Sequence, residues 1–243
     1  MADEKKSTSA SEPVEKSEIL TKLIVEHGVE LCVDKSSITP KHSDCYYDVN
    51  SKLIRAMITA TLTAYCETDA PVFWPVRCLE GLGATGVCGL TWAKHLDAKV
   101  AVTVNAVSER AARRIEENAE RNSLKINVAS LESRTMLQQN PYSFIVLESF
   151  ANSSAYLDSA LVCLPRGGVL VLSTTDDPAL YCKVPEVALR KYGGRLGKTK
   201  YYREMAARLV VASIARSAAR YDKGVRVLWC YSNKGHLTVV IQV

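Results

Sequence analysis

Glu80 is the residue whose setting first suggests chemistry. It follows the apolar run 76–79 and opens the stretch Glu80-Gly81-Leu82-Gly83-Ala84-Thr85-Gly86. A strand that delivers a carboxylate into a glycine-rich turn is a seat for a nucleotide-type ligand. Glycines let the backbone approach a ligand closely, and a helix starting near Val87 aims its unpaired N–H groups at it. The carboxylate narrows the choice of ligand. It repels a pyrophosphate but holds an ammonium, so the loop suits S-adenosyl-L-methionine better than NAD or ATP. A solvated strand-end carboxylate is the plainer alternative; the order of the surrounding segments favours the ligand loop.

That order alternates regularly. Apolar spacing of three and four predicts a helix over 50–66, with Leu53, Ile54, Met57, Ile58 and Leu62 on one side. Strands follow at 76–79, 100–104, 126–129, 144–147 and 169–173, separated by helices at 87–95, 109–122 and 155–163. Such alternation implies an α/β fold, a mostly parallel sheet with helices on both faces. After a helix over 202–221, two β-rich runs at 225–231 and 237–243 flank Ser232-Asn233-Lys234-Gly235-His236 and predict an antiparallel β-hairpin. A parallel sheet finished by such a hairpin is the Rossmann-like pattern of class I S-adenosylmethionine-dependent methyltransferases. Upstream, 1–17 is polar and predicts a disordered tail. Residues 18–50 form an N-terminal extension in which 20–33 suits a hairpin or edge strands, and 51–243 is the expected catalytic domain.

Bulk properties agree with one globular domain. The 243 residues are 47% hydrophobic and carry a net charge of +5, which permits a nucleic-acid partner without requiring one. The eight cysteines lack the C-x-x-C spacing of zinc or redox sites and read as buried thiols of a reducing compartment. With no apolar run near the ~20 residues of a membrane span and no signal-peptide pattern, an intracellular protein of nucleus or cytoplasm is expected.

A more specific resemblance rests on motifs in order. Lys191-Tyr192-Gly193-Gly194, Tyr201 to Arg208 and Ile214 to Tyr221 resemble the tRNA guanine-26 N2-dimethyltransferase family. So do Tyr46-Tyr47-Asp48 leading to Arg55, the loop at Gly83-Ala84-Thr85-Gly86, and Tyr156 to Ala160. The run Gly89 to Leu96 leans toward the animal tRNA-methyltransferase-1-like branch. The resemblance implies that Arg55 sits against the cofactor carboxylate and that Glu80, Gly81, Gly83, Thr85 and Gly86 line the methionine moiety. It places Asn105 near the ribose and Glu132 with Ser133 near the adenine. Ala106 stands where the family has a ribose-binding aspartate, which predicts a looser hold.

The same resemblance makes Glu148 and Phe150 the catalytic pair, one accepting from the guanine amino group and the other stacking on the base. Here Glu148-Ser149-Phe150-Ala151 replaces the family's Asp-Pro-aromatic-Gly, and an extra methylene moves the carboxylate, which predicts slow or absent turnover. Two functions follow. One is methyl transfer to a tRNA guanine N2; the other is an impaired paralogue that binds RNA or protein. The family's C-terminal tRNA-gripping domain has no counterpart in the resemblance, which leaves room for a partner protein that supplies it, beside tRNA itself as the expected partner.

Other groups have two readings each. Arg203, Arg208, Arg216 and Arg220 suit either RNA phosphates or a solvated helix face. Tyr46, Tyr47, Trp92 and Trp229 read as packed aromatics, and the four histidines share no ligand spacing.

Overall fold

The computed structural model describes residues 21–35, 43–150, 153–233 and 235–243. The expected tail at 1–17, residues 36–42 of the N-terminal extension, Ala151 and Lys234 lie outside them. The first described elements are β1 (Thr21–Glu26) and β2 (Val29–Asp34), paired antiparallel through His27-Gly28. Both turn residues have positive φ, 47° and 75°, the geometry that matches the twist of a two-residue hairpin. Val29, Leu31 and Val33 are fully buried, whereas Leu23 and Val25 stay exposed. Alternation thus gives the hairpin one inward face.

The hairpin forms its own two-stranded sheet and is clasped by later elements. After it come α1 (Lys52–Cys66), β3 (Val76–Gly83), α2 (Val87–Leu96), β4 (Val100–Ala106) and α3 (Glu109–Arg121). Asn118 of α3 and Asn122, its C-cap, use their side-chain carbonyls to accept from Cys32 and Glu30 N–H groups, at 2.7 and 2.9 Å. At the turn, His95 of α2 donates to the His27 carbonyl at 2.8 Å and Lys94 to that of Gly28.

The chain continues with β5 (Asn127–Ala129), α4 (Ser133–Gln139), β6 (Phe144–Ser149), α5 (Leu157–Cys163) and β7 (Val169–Thr174). It ends with α6 (Asp177–Leu180), α7 (Pro185–Tyr192), α8 (Tyr202–Ala219), β8 (Arg226–Asn233) and β9 (His236–Gln242). The sheet order is β5-β4-β3-β6-β7-β9-β8. Its first five strands are parallel, and β9 runs antiparallel to both neighbours, as the sequence pattern predicts.

Period-two alternation in β6 divides the core. Phe144 and Val146 face α1, α2 and α3, where fully buried Trp92 meets Phe144 edge-on at 5.8 Å. Ile145 and Leu147 face the layer containing α4, α5, α7 and α8. Trp229 donates to Thr61 at 3.0 Å and ties the terminal hairpin to α1.

Three short helices, α4, α6 and α7, have no counterpart in the periodicity. α4 is set by Glu132, whose carboxylate caps the Arg134 and Thr135 N–H groups. α6 has proline in its first turn, and α7 begins on Pro185 and closes on Gly193 at φ 69°. Such punctuation marks helices too short for an apolar stripe. The thiol reading also needs adjusting: five of the eight cysteines are buried, Cys32 and Cys182 are partly exposed, and Cys230 is exposed. β8 is an edge strand with one outward face.

Gly89 is where α2 presses closest to the sheet. A Cβ there would stand 2.4 Å from a Val104 methyl and 3.1 Å from the Glu80 carboxylate. Gly89→Ala should therefore destabilise the fold by about 1–3 kcal/mol, the range for overpacking a filled core. Urea unfolding measures it, with the midpoint shifted and the slope unchanged.

Candidate active site

The C-terminal ends of β3, β6 and β7 lie side by side and open into one pocket, where parallel sheets place their ligands. α1 and the segment before it supply one wall, and the start of β9 supplies the rim. The space between the side chains lining it is about 540 Å³, part of it open to solvent. Of the residues singled out by sequence, it brings together Arg55, Glu80, Thr85, Glu148 and Phe150.

Arg55 is its buried cation, 5% exposed. A guanidinium in such a place must be neutralised, and Glu26 does this side-on from β1. Nε and Nη2 each donate to its carboxylate at 2.7 Å, and Nη2 also donates to the Asp48 carbonyl at 3.0 Å. Tyr47 stacks under the guanidinium at 5.0 Å and donates its hydroxyl to the same carboxylate. Although burial opposes ionisation of Glu26, the Arg55 bonds win and hold its carboxyl below the usual range. Nη1 of Arg55 has no hydrogen-bond partner among the described residues. Arg55 lines the pocket and Glu26 does not, so the ion pair lies behind the wall.

Two carboxyls share the pocket with that guanidinium. Glu80 accepts from the Gly89 N–H at 2.8 Å and so caps the first turn of α2. Burial, reinforced by the charge of Glu148, lifts its carboxyl to about 7 despite the Gly89 bond. Glu148 is raised too, chiefly by burial, with Arg55 and His236 pulling the other way. Phe150 stands at the rim, edge-on to Tyr46 at 5.1 Å and to His236 at 6.3 Å.

The remaining predicted residues form the shell outside this pocket. Among the loop glycines only Gly86 has positive φ, 74°, where the chain turns into α2. Gly81 and Gly83 serve packing instead: a Cβ would come within 2.6 Å of Leu147 and 2.5 Å of Val104. Asn105 is fully buried, donates to the Leu131 carbonyl at 3.0 Å and accepts from the Leu131 N–H at 3.1 Å. Ser133 donates to the Gly81 carbonyl at 3.0 Å, so both residues steady the loop from beneath. Glu132 is exposed and pairs with Arg134 at 3.0 Å. Ala106 is fully buried at the tip of β4.

Sequence reasoning did not single out Glu26, Asp48, Ser51, Ser173 to Thr175 or His236 for this site. Glu26 lies 29 positions from Arg55, and nothing local marks the pairing. Tyr46 has an additional role: it packs, yet it also lines the pocket. Its place in the run Tyr46-Tyr47-Asp48 was the available signal.

The sheet order with its reversed terminal hairpin defines the class I methyltransferase fold. The Trm1 structure from Pyrococcus horikoshii in complex with S-adenosyl-L-methionine superposes with a TM-score of 0.78 at 23% identity, covering 91% of this chain and 61% of that one. Trm5b from Pyrococcus abyssi gives 0.65 at 14% identity, covering 93% and 56%. The chain belongs to the N2,N2-dimethylguanosine tRNA methyltransferase family, whose model matches residues 27–243.

Among named relatives, the tRNA (guanine(27)-N(2))-dimethyltransferase of Homo sapiens is 35% identical over 88% of this chain and 32% of its own length. The tRNA (guanine(26)-N(2))-dimethyltransferase of Thermoplasma acidophilum is 32% identical over 58% of this chain and 40% of its own. The animal leaning of residues 89–96 agrees with the first. The chain spans about a third of the length of the animal relatives it matches. Among the described residues, no helix is long and apolar enough to cross a membrane and no side-chain cluster suits a metal.

Two expectations follow. Glu26→Gln should destabilise the protein by about 3–5 kcal/mol in chemical denaturation, because it leaves a buried guanidinium without its counter-charge. Glu80 binds its proton more tightly folded than unfolded, so its contribution to stability is full below its unfolded value and is lost as pH rises through about 7. Melting temperatures between pH 5 and 8 should show this decline in the native chain and a shallower one in Glu80→Gln.

Proposed function

We propose that this chain is a methyl-transfer domain that binds S-adenosyl-L-methionine and acts on the N2 of a guanine in tRNA. One observation carries the reading. The unpartnered Nη1 edge of Arg55 shares a small pocket with Glu80, a pairing suited to the carboxylate and ammonium of an amino acid. The solved complex of the Pyrococcus horikoshii Trm1, which shares the fold, with that cofactor and the tRNA-directed names of the relatives support it.

The pocket fits the cofactor's methionine end, with Arg55 holding the carboxylate and Glu80 the ammonium. Thr85 and the backbone of Gly81 to Gly86 flank it, and Asn105, Ser133 and Glu132 support the side toward the nucleoside. When bound, the cofactor supplies an electrophilic methyl group on a sulfonium. The protein's contribution is position and proton handling. Phe150 stacks on the guanine, Tyr46 braces that ring edge-on, and Glu148 accepts a hydrogen bond from the exocyclic amine. A buried carboxylate whose proton affinity is raised is a better base, so Glu148 takes the proton that N2 gives up. The mild basicity of the chain suits the polyanionic substrate.

Two assays test this. In calorimetry, the native chain should bind S-adenosylhomocysteine, and Arg55→Gln should weaken that binding about tenfold to a hundredfold, the worth of a charge-assisted hydrogen bond. Affinity for 5′-methylthioadenosine, which lacks the carboxylate, should stay the same. Transfer of labelled methyl to unmodified tRNA should fall about 10²- to 10⁴-fold in Glu148→Gln, the usual effect of losing a general base. Cofactor binding with no transfer by the native chain would overturn the enzymatic reading and leave the impaired paralogue.

A further inference from the structure

The three arginines of α8 and Arg220, which caps it, separate once their partners are seen. Arg208 is held by Glu204 one turn back at 2.7 Å, Arg216 donates to the Tyr192 carbonyl, and Arg220 donates to the Asp158 carboxylate. Arg203 has no carboxylate partner among the described residues. Its guanidinium lies over the Tyr202 ring, 5.5 Å from the centroid. Both side chains line a groove that is more open to solvent than the candidate pocket.

The groove begins where the pocket ends. Thr175 and His236 line the pocket, while Asp177 and Gly235 line the groove, so the two share the rim between the exit of β7 and the entrance of β9. Their charges are opposite in kind. Carboxylates of Asp48, Glu80 and Glu148 surround a single guanidinium in the pocket, and a phosphate is repelled there. The groove presents Lys183, Lys198 and Arg203, and Lys183 neutralises its one carboxylate, Asp177, at 3.1 Å. Lys198, like Arg203, has no carboxylate partner among the described residues.

Aromatic surface lies between these cations. Tyr181 and Tyr202 pack edge to face at 5.3 Å within the groove. Beside them Tyr201 is 58% exposed, with the Lys200 ammonium 5.2 Å from its ring. Cations that meet successive phosphates, interleaved with ring faces that accept bases, are what a single-stranded nucleic acid requires.

We infer that this groove holds the ribose-phosphate backbone of the RNA strand adjoining the base presented to the pocket. Lys198 and Arg203 meet its phosphates, and the tyrosines meet a neighbouring base. The inference rests on the proposed action on tRNA and adds to it a path: the target base enters over the β7–β9 rim, past His236 to Phe150.

The test is fluorescence anisotropy with a labelled unmodified tRNA transcript, titrated across a salt series. Lys198→Gln combined with Arg203→Gln should weaken binding about tenfold at low salt. It should flatten the dependence of log affinity on log salt by about 1.4, since each single-strand phosphate contact contributes roughly 0.7. Arg208→Gln removes the same charge from a paired position of the same helix and should leave both readouts unchanged. Affinity for S-adenosylhomocysteine and the melting temperature, measured on each variant, should match the native chain and establish folding. Equal loss in Arg208→Gln, or no loss in the double variant while the native chain binds, overturns the groove alone. Failure of the native chain to bind the transcript overturns the groove together with the tRNA part of the proposed function.

Discussion

The Arg55–Glu26 ion pair is the constraint on which the site depends. A guanidinium 5% exposed is tolerated because a carboxylate meets it in side-on geometry and a tyrosine ring lies beneath it. That arrangement fixes which edge of the guanidinium remains for a ligand. It also explains why β1 and β2, which share no ladder with the main sheet, are fastened so firmly to α2 and α3. The hairpin supplies the counter-charge and must be held in register to do so. A one-residue slip would turn Glu26 to the opposite face.

The same logic orders the rest of the pocket. Glu80 spends one interaction on the first turn of α2, which ties helix position to the charge state of the site. Gly89 exists where it does because the helix must approach closely enough for that bond. Burial raises both Glu80 and Glu148 while Arg55 pulls the other way, and the charge of Glu148 adds to the rise at Glu80, which exchanges its proton near neutral pH. Electrostatics and packing are here one design, since each close contact sets a local charge.

Much of this was legible in the sequence, and the failures have physical causes. The parallel strands and the closing hairpin were readable because each strand is a run of apolar residues bounded by turns, as buried sheets require. The Glu80 loop was readable because its residue types are unusual together. The reading of Gly81 and Gly83 as places where the backbone nears a ligand missed their packing role, because sequence shows a missing side chain and not the neighbour that fills its space. Glu26 was invisible for a similar reason: β1 alternates like many exposed strands, and its partner is set by tertiary docking. The arginines of α8 were readable as a group and not as individuals, since their partners come from other elements.

The hairpin holds one edge of a guanidinium whose residue also lines the pocket, and this has a thermodynamic consequence. Free-energy coupling between two sites is reciprocal. A ligand that engages the open edge of Arg55 steadies the partner on its other edge, and through Glu26 that steadiness reaches β1, β2 and the clasp to α2. By the same factor, anything that frays the hairpin lowers the hold on the ligand. The β1–β2 hairpin is therefore part of the affinity of the pocket although none of its residues lines it.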